Sequence, residues 1–190
     1  QAALQVRQKF GIDGDFILAA GTLEPRKNIP ALIEAFSEIA PKTDTQLVLA
    51  GPTGWGITPE ELLEPVDNVT KARISITGEI TTAELAALYT EATVFCYPSL
   101  LEGFGLPVLE AMSYRTPVVT SKGTSTEEVA GDAAVTVNPS SVIEISEALA
   151  RLIIDKSAAQ EIGDAGYQRS KLFTWDKSAS ATVDIYRKLL

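Results

Sequence analysis

Two carboxylates eight positions apart frame a glycine-rich turn: Glu102-Gly103-Phe104-Gly105-Leu106-Pro107-Val108-Leu109-Glu110. Gly103 and Gly105 permit a tight backbone turn that exposes N–H groups at close range. Pro107 suits the first position of a helix, where its missing N–H would be unpaired anyway. The stretch therefore predicts a strand end, a tight loop and a helix N-terminus. Such an N-terminus gathers free N–H groups at the positive end of the helix dipole, which makes it an anion site. Glu102 is expected at its mouth and Glu110 about two turns inside the helix, roughly 12 Å along the axis. Two acids on a phosphate-binding turn point to a ligand that carries both phosphate and hydroxyl groups. The competing reading is a loop acid and a solvated helix acid. Against it stands the apolar run Thr93-Val94-Phe95-Cys96-Tyr97-Pro98, which leads straight into Ser99-Leu100-Leu101-Glu102. In open parallel sheets the ligand crevice lies at the carboxyl ends of the strands.

A second group of chemically useful residues is Gly21-Thr22-Leu23-Glu24-Pro25-Arg26-Lys27-Asn28. It follows an apolar pentad and precedes a helical pattern, so it belongs on the same crevice rim as Glu102. Arg26 offers a planar fork and Lys27 a compact point charge, the two ways a diphosphate is neutralised by side chains. A solvated Arg-Lys pair is the alternative. Gly21 lets a ligand approach the first strand end. Gly51 reads as the start of the turn Gly51-Pro52-Thr53-Gly54, and Trp55 is expected to pack onto the domain rather than cover a ligand.

The elements that must carry these groups alternate along the chain. Phe16-Ile17-Leu18-Ala19-Ala20, Gln46-Leu47-Val48-Leu49-Ala50, Arg73-Ile74-Ser75-Ile76, Val94-Phe95-Cys96-Tyr97, Pro117-Val118-Val119-Thr120 and Ala134-Val135-Thr136-Val137 read as strands. Between them Leu32, Ile33, Phe36 and Ile39 mark one helix face, and Leu85, Leu88 and Tyr89 another. Strand–helix alternation with near-continuous apolar strands predicts an α/β fold, a doubly wound Rossmann-like parallel sheet of about six strands with helices on both faces. From about Ser141 the pattern is helical only. One helix carries Ile143, Ala148, Leu149, Leu152 and Ile153, a second covers Ala158 to Leu172, and a third starts near Thr174-Trp175-Asp176 with Val183, Tyr186 and Leu190 on its apolar side. The opening segment Gln1 to Phe10 is also helical in pattern. It has no initiating Met, and both ends are expected to continue into a longer protein.

Composition narrows the chemistry. The chain has 190 residues, 45% of them hydrophobic and 22% charged, enough for one well-buried domain. Its 16 basic and 25 acidic residues give a net charge of −9, which argues against nonspecific nucleic-acid binding. With no His in the chain, serine–histidine hydrolysis, histidine metal sites and histidine acid–base catalysis are excluded within it. No apolar run reaches the roughly 18 residues that span a bilayer, and no N-terminal signal pattern is present. The lone Cys96 sits in an apolar run and reads as a buried, inert thiol that fits a reducing compartment.

The run from Glu102 to Met112 resembles the Glu-x7-Glu motif of retaining GT-B glycosyltransferases of family four. Pro117-Val118-Val119-Thr120, then Gly131-Asp132-Ala133-Ala134, and Gly21 to Asn28 are similar to that family in the same order. The match spans nearly the whole chain but covers only the C-terminal, donor-binding half of such an enzyme. The resemblance therefore implies that residues 1–190 form one nucleotide-sugar-binding domain, half of a GT-B fold, with the N-terminal acceptor domain absent. It implies that Arg26 and Lys27 hold the donor diphosphate and stabilise the leaving group, and that Glu102 accepts from hydroxyls of the transferred sugar. Glu110 would take the ribose hydroxyls, and the N–H groups around Gly103, Phe104, Gly105 and Leu106 would grip sugar and phosphate. Ile80 would lie beside the nucleobase. Thr22 departs from the family, where many members carry Arg after this glycine. It would contribute with Gly21 only a weak contact.

No metal and no cofactor are implied, because the two cations replace the metal that other sugar transferases hold with an Asp-x-Asp motif. The form of the Gly21–Asn28 segment is similar to bacterial mannosyl- and rhamnosyltransferases of polysaccharide assembly, which makes GDP-mannose the first donor to test, with UDP-sugars next. Partners would be a nucleotide sugar and a glycan or lipid-linked acceptor. The enzyme would be cytoplasmic, and its full-length form peripheral to the inner face of the membrane. Two alternatives share the architecture: a non-catalytic nucleotide-binding or scaffolding module, and a sugar-nucleotide epimerase or glycogen-type phosphorylase. A phosphorylase would need a pyridoxal-binding Lys in a longer chain, and an epimerase usually needs His.

Overall fold

Short β-rich apolar runs separated by amphipathic stretches are compatible with a parallel sheet only if each return passes through a crossover helix. A computed structural model, which describes residues 2–189, has that form. The strands are β1 (Phe16–Ala20), β2 (Gln46–Ala50), β3 (Ile74–Ile76), β4 (Val94–Tyr97), β5 (Val118–Ser121) and β6 (Val135–Val137). All neighbours pair in parallel, in the order β3-β2-β1-β4-β5-β6. The order reverses between β1 and β4, which pair Ile17 with Val94 and Leu18 with Phe95. The crevice beyond the carboxyl ends of those two strands is where open sheets of this kind take ligands.

The helices are α1 (Ala2–Phe10), α2 (Ile29–Ile39), α3 (Pro59–Leu63), α4 (Asn68–Lys71), α5 (Thr82–Glu91), α6 (Leu106–Ser113), α7 (Ser125–Ala130), α8 (Val142–Ile154), α9 (Lys156–Ser170) and α10 (Trp175–Leu189). Side chains alternate across the sheet, so β1 sends Ile17 and Ala19 to one face and Phe16, Leu18 and Ala20 to the other. The first face is sealed by Leu32, Ile33 and Phe36 of α2 with Leu149 and Leu152 of α8. The second is sealed by Val6 of α1, Leu88 and Tyr89 of α5, and Val108 and Met112 of α6. Two sealed faces explain why the strands read as continuous apolar runs rather than alternating ones.

Sequence and structure differ in several places. The short helices α3, α4 and α7 and the 3-10 turn at Pro25–Lys27 lie in stretches without a sustained apolar period. The helix expected over Ala158 to Leu172 runs from Lys156 to Ser170, started by the Asp155 carboxylate, which accepts from the Ala158 N–H. Trp55 does not pack onto the domain: it is 68% exposed. Gly51 does more than begin a turn, for its φ is +146° and a side chain there would strike the carbonyl oxygen of Gly21. Gln1 and Leu190, included in the expected first and last helices, lie outside the described residues.

Candidate functional site

The loop after β1 is stitched to the loop after β4. Gly21 donates to Ala50 O at 2.9 Å, and the chain then tightens into the Pro25–Lys27 turn closed by Lys27 N–H to Glu24 O at 2.9 Å. Asn28 follows in the left-handed region (φ 57°), a conformation Asn tolerates better than most residues. Its side-chain amide donates to Pro98 O at 3.1 Å and Pro139 O at 2.7 Å. Leu100 N–H donates in turn to Arg26 O at 2.8 Å. These bonds carry Arg26 and Lys27 across the β1–β4 boundary to face Glu102.

Lys27 is not a solvated partner of Arg26: only 7% of it is exposed. Its ammonium donates to the Tyr97 hydroxyl and to Glu102 Oε1, the latter at 2.7 Å, and lies 4.6 Å from the centre of the Tyr97 ring. Arg26 Nη1 reaches the same Glu102 oxygen at 2.7 Å, while Nη2 pairs with Glu24 Oε1 at 2.6 Å. Tyr97 and Ser99 donate their hydroxyls to Glu102 Oε1 at 2.9 and 2.8 Å. Among the described residues all four of these donors converge on Oε1, and Oε2 has no protein partner. A lysine ammonium has three N–H donors, so one remains on Lys27 for a ligand. The arrangement thus offers a carboxylate oxygen and cationic donors side by side in the crevice.

The electrostatics follow from this packing. Burial alone would push the Glu102 carboxyl up, but hydrogen bonds from Lys27, Ser99 and Tyr97 outweigh it and hold the group below the ordinary Glu value. Burial likewise works against the Arg26 charge, and Glu102 more than restores it, so the guanidinium is raised. Burial and the Glu102 charge push the Tyr97 phenol far above its ordinary value. Tyr97 therefore stays a protonated donor throughout the working range.

Among the described residues, the glycine turn leaves unpaired backbone N–H groups at the start of α6. Gly105 caps α6 with φ +102°, and a side chain there would meet Thr126 Cγ2 at 2.7 Å, so both backbone conformation and space call for glycine. Leu106, not Pro107, is the first helical residue, and Pro107 is the second. Both positions lack an intrahelical acceptor, so proline fits either. Among the described residues the N–H groups of Gly103, Phe104, Gly105 and Leu106 donate to no protein acceptor. The loop is pinned from outside by Ser125 Oγ, which donates to Glu102 O at 2.9 Å. Phe104 packs edge-on against Phe173, ring centres 5.9 Å apart. An open groove of about 540 Å³ beside it is lined by Phe104, Leu106, Leu109, Leu172, Phe173 and Trp175, among others.

Glu110 stands apart from the Lys27–Glu102 cluster. It is the fifth residue of α6, about 6 Å along the helix from Leu106 rather than two turns in, because residues 102–105 form the turn and its cap and not the helix. Its side chain is exposed and Oε2 accepts from the buried Tyr89 hydroxyl at 3.2 Å. Ile80 is half-buried in the face that also holds Leu88 and Val108, in the loop between the edge strand β3 and α5. Thr22 is half-buried against Gly54. Arg26, Lys27, Gly21 and Glu102 are thus brought together, while Glu110, Ile80 and Thr22 lie around them without a direct bond. Tyr97, Ser99, Glu24 and Tyr89 were not expected among the site residues. The signal that could have found the first two is their position, polar groups at the end of a strand opening on a ligand crevice.

Among the described residues no group of three or more His, Cys, Asp or Glu could hold a metal ion, and no helix is long and apolar enough to cross a membrane. Residues 4–169 match the family model described as "Glycosyl transferases group 1". The O-antigen chain mannosyltransferase B of Escherichia coli is 36% identical over 98% of this chain and 49% of its own length. The MMP alpha-(1->4)-mannosyltransferase of Mycolicibacterium hassiacum is 33% identical over 87% of this chain and 41% of its own. The chain therefore spans at most about half the length of these curated relatives. Among solved structures, sucrose-phosphate synthase from Thermosynechococcus elongatus superposes with a TM-score of 0.82 at 27% identity, over 98% of this chain and 48% of that one. The C-terminal domain of a glycosyl transferase group 1 family protein from Francisella tularensis superposes with a TM-score of 0.76 at 27% identity, over 88% of this chain and 90% of that domain. The shared sheet, the turn at Glu102 and a family match over most of the residues lead to one conclusion: the chain belongs to the group 1 glycosyl transferases.

Proposed function

We propose that this chain is the donor-binding half of a retaining, metal-independent glycosyltransferase that uses a nucleoside-diphosphate sugar, with GDP-mannose as the favoured donor. The observation that carries the reading is the convergence of Arg26 and Lys27 on one oxygen of Glu102, beside the free N–H groups that open α6. The cations and the helix N-terminus suit a diphosphate; Glu102 Oε2 suits a hydroxyl of the transferred sugar. Glu110 is exposed on the same helix and accepts the ribose hydroxyls. The Glu24–Arg26–Glu102 chain of ion pairs keeps the guanidinium extended toward the crevice. As the bond from the anomeric carbon to phosphate oxygen breaks, its electron pair passes to the diphosphate. Arg26, Lys27 and the α6 N–H groups stabilise the charge that develops there. The mannosyltransferase relatives support the choice of sugar, and the acceptor, a glycan or lipid-linked glycan, belongs to the remainder of the longer enzyme.

The test is a thermal-shift and calorimetric screen of this chain with GDP-, UDP-, ADP- and dTDP-sugars, each with and without EDTA. GDP-mannose is expected to bind most tightly and EDTA to leave that affinity unchanged. Tightest binding of another nucleotide would replace the donor. A requirement for Mg²⁺ or Mn²⁺ would overturn metal independence, and binding of none would overturn the donor-domain assignment. The chain alone should bind nucleotide and transfer nothing; transfer by the 190-residue chain would refute the two-domain reading.

A further inference from the structure

Tyr97 ends the strand β4 with its hydroxyl between the two charged groups that matter most. The hydroxyl accepts from the Lys27 ammonium and donates to Glu102 Oε1 at 2.9 Å. The ring is fixed independently of those bonds: it is stacked on Phe95 at 5.7 Å between ring centres, and only 3% of Tyr97 is exposed. A hydroxyl has one hydrogen to give, and here it goes to Glu102, so the oxygen that faces Lys27 is the acceptor. The phenol therefore has a defined direction, from ammonium to carboxylate.

We infer that Tyr97 is a positioning residue of the donor site, holding Lys27 and Glu102 so that one N–H of the first and Oε2 of the second face the ligand. The inference rests on the donor-site reading above and deepens it. Without the hydroxyl, Lys27 has one acceptor fewer, and its ammonium is free to turn a second N–H toward Glu102. Glu102 can then rotate so that its two oxygens share Lys27, Arg26 and Ser99. The oxygen needed for the sugar hydroxyl becomes occupied, and the lysine donor needed for phosphate is diverted. The groups that set the Glu102 charge are Lys27 and Arg26 from the β1 loop, Tyr97 and Ser99 from β4 and its loop, and Glu24 behind Arg26. Deleting the Tyr97 hydroxyl changes no formal charge at neutral pH and leaves the ring packing in place.

The experiment uses Tyr97→Phe, which keeps the ring and deletes the hydroxyl, and reads two quantities. The first is the Glu102 titration, followed by 13C NMR of its carboxyl in the ligand-free chain. The second is affinity for GDP and GDP-mannose by calorimetry. Exchanging the neutral phenol donor for a second ammonium N–H should lower the Glu102 titration, and the turned carboxylate should weaken GDP-mannose by about tenfold or more, and GDP by less. A variant that merely loosened the fold would lower both affinities equally and leave the titration of a still-paired Glu102 where it was. An unmoved titration overturns the positioning role, and so does a wild-type affinity for GDP-mannose. If the wild-type chain binds none of the nucleotides, the donor-site reading falls and carries the positioning role with it. That result is told apart by the unsubstituted chain alone.

Discussion

Lys27→Met asks the sharpest question of the crevice, because Lys27 already has protein partners and the proposed function asks it to serve a ligand as well. Methionine keeps the unbranched stem and removes the charge and its donors. In the free chain the loss is the charged bond to Glu102 at 2.7 Å and the bond to Tyr97. Stranding a buried charge costs about 3–5 kcal/mol. Glu102 would not be stranded, since Arg26, Tyr97 and Ser99 still donate to it. The cost should therefore fall to that of one charged hydrogen bond, about 1.5–3 kcal/mol, read as a lower urea midpoint at unchanged slope. Binding is a separate account. The one N–H left on Lys27 is worth a further loss of about 1.5–3 kcal/mol against a diphosphate, about 10- to 150-fold in GDP affinity. Guanosine, which has no phosphate, should bind variant and wild type alike. Repeating the substitution in a Glu102→Gln background separates the two effects: the stability cost should shrink by about 1 kcal/mol or more, the coupling expected of groups in contact. The reasoning is refuted if Lys27→Met costs stability as expected while GDP affinity stays at the wild-type value. Lys27 would then be only a counter-ion for Glu102, and the diphosphate site would lie elsewhere.

Three further outcomes are expected. Gly105→Ala should cost about 1–3 kcal/mol in urea unfolding, because φ is +102° and Thr126 Cγ2 blocks the space, whereas Gly103→Ala, with nothing within 4 Å, should be nearly neutral; equal effects would contradict the cap geometry. Calorimetry should show Glu110→Gln weakening GDP and GDP-mannose together, and Glu102→Gln weakening GDP-mannose relative to GDP; wild-type ratios in both would remove the assigned roles of the two acids. Glu84 is held down to about 2 from 4.5 by its bond from Lys9 and by Thr81, so its folded-state value lies below its unfolded one. Its stabilisation is present above about pH 4.5 and lost as pH falls toward 2, and Lys9→Ala should flatten the acid limb of a plot of urea midpoint against pH; an unchanged limb would refute the α1–α5 tie.

The sheet was legible because its evidence is local and repeated. Six apolar runs, each long enough for a strand and each followed by a helical period, leave few other arrangements once crossovers keep their hand. Strand edges came within a residue or so, since β1 and β2 run into Gly21 and Gly51 and β4 into Pro98. Helices α3, α4 and α7 were not legible for the opposite reason. They have five, four and six residues and are defined by caps, such as Asp67 accepting from Val69 and Thr70, rather than by an apolar stripe. Trp55 shows the same limit at one position: its exposure is set by a loop zipped to Leu23 through the Thr53 bridge, and no local pattern records that bridge.

The site was half-legible, and the division has a physical cause. Glu102, Glu110, Arg26 and Lys27 announce themselves as charges beside glycine turns. Tyr97 and Ser99 do not, because their polar atoms matter only through partners far away in the chain. Lys27 meets Tyr97 across 70 residues and Glu102 across 75. What closes that distance is the strand order: β1 and β4 become neighbours at the reversal, although two strands intervene in sequence. The same reversal that opens the crevice therefore delivers the tyrosine, and a buried charge placed there needs hydroxyl donors that the strand end can supply. Reading β4 as a wholly apolar run was correct for Val94, Phe95 and Cys96, whose job is packing. At Tyr97 the run changes task, from sealing the sheet to setting the direction of the carboxylate that follows it.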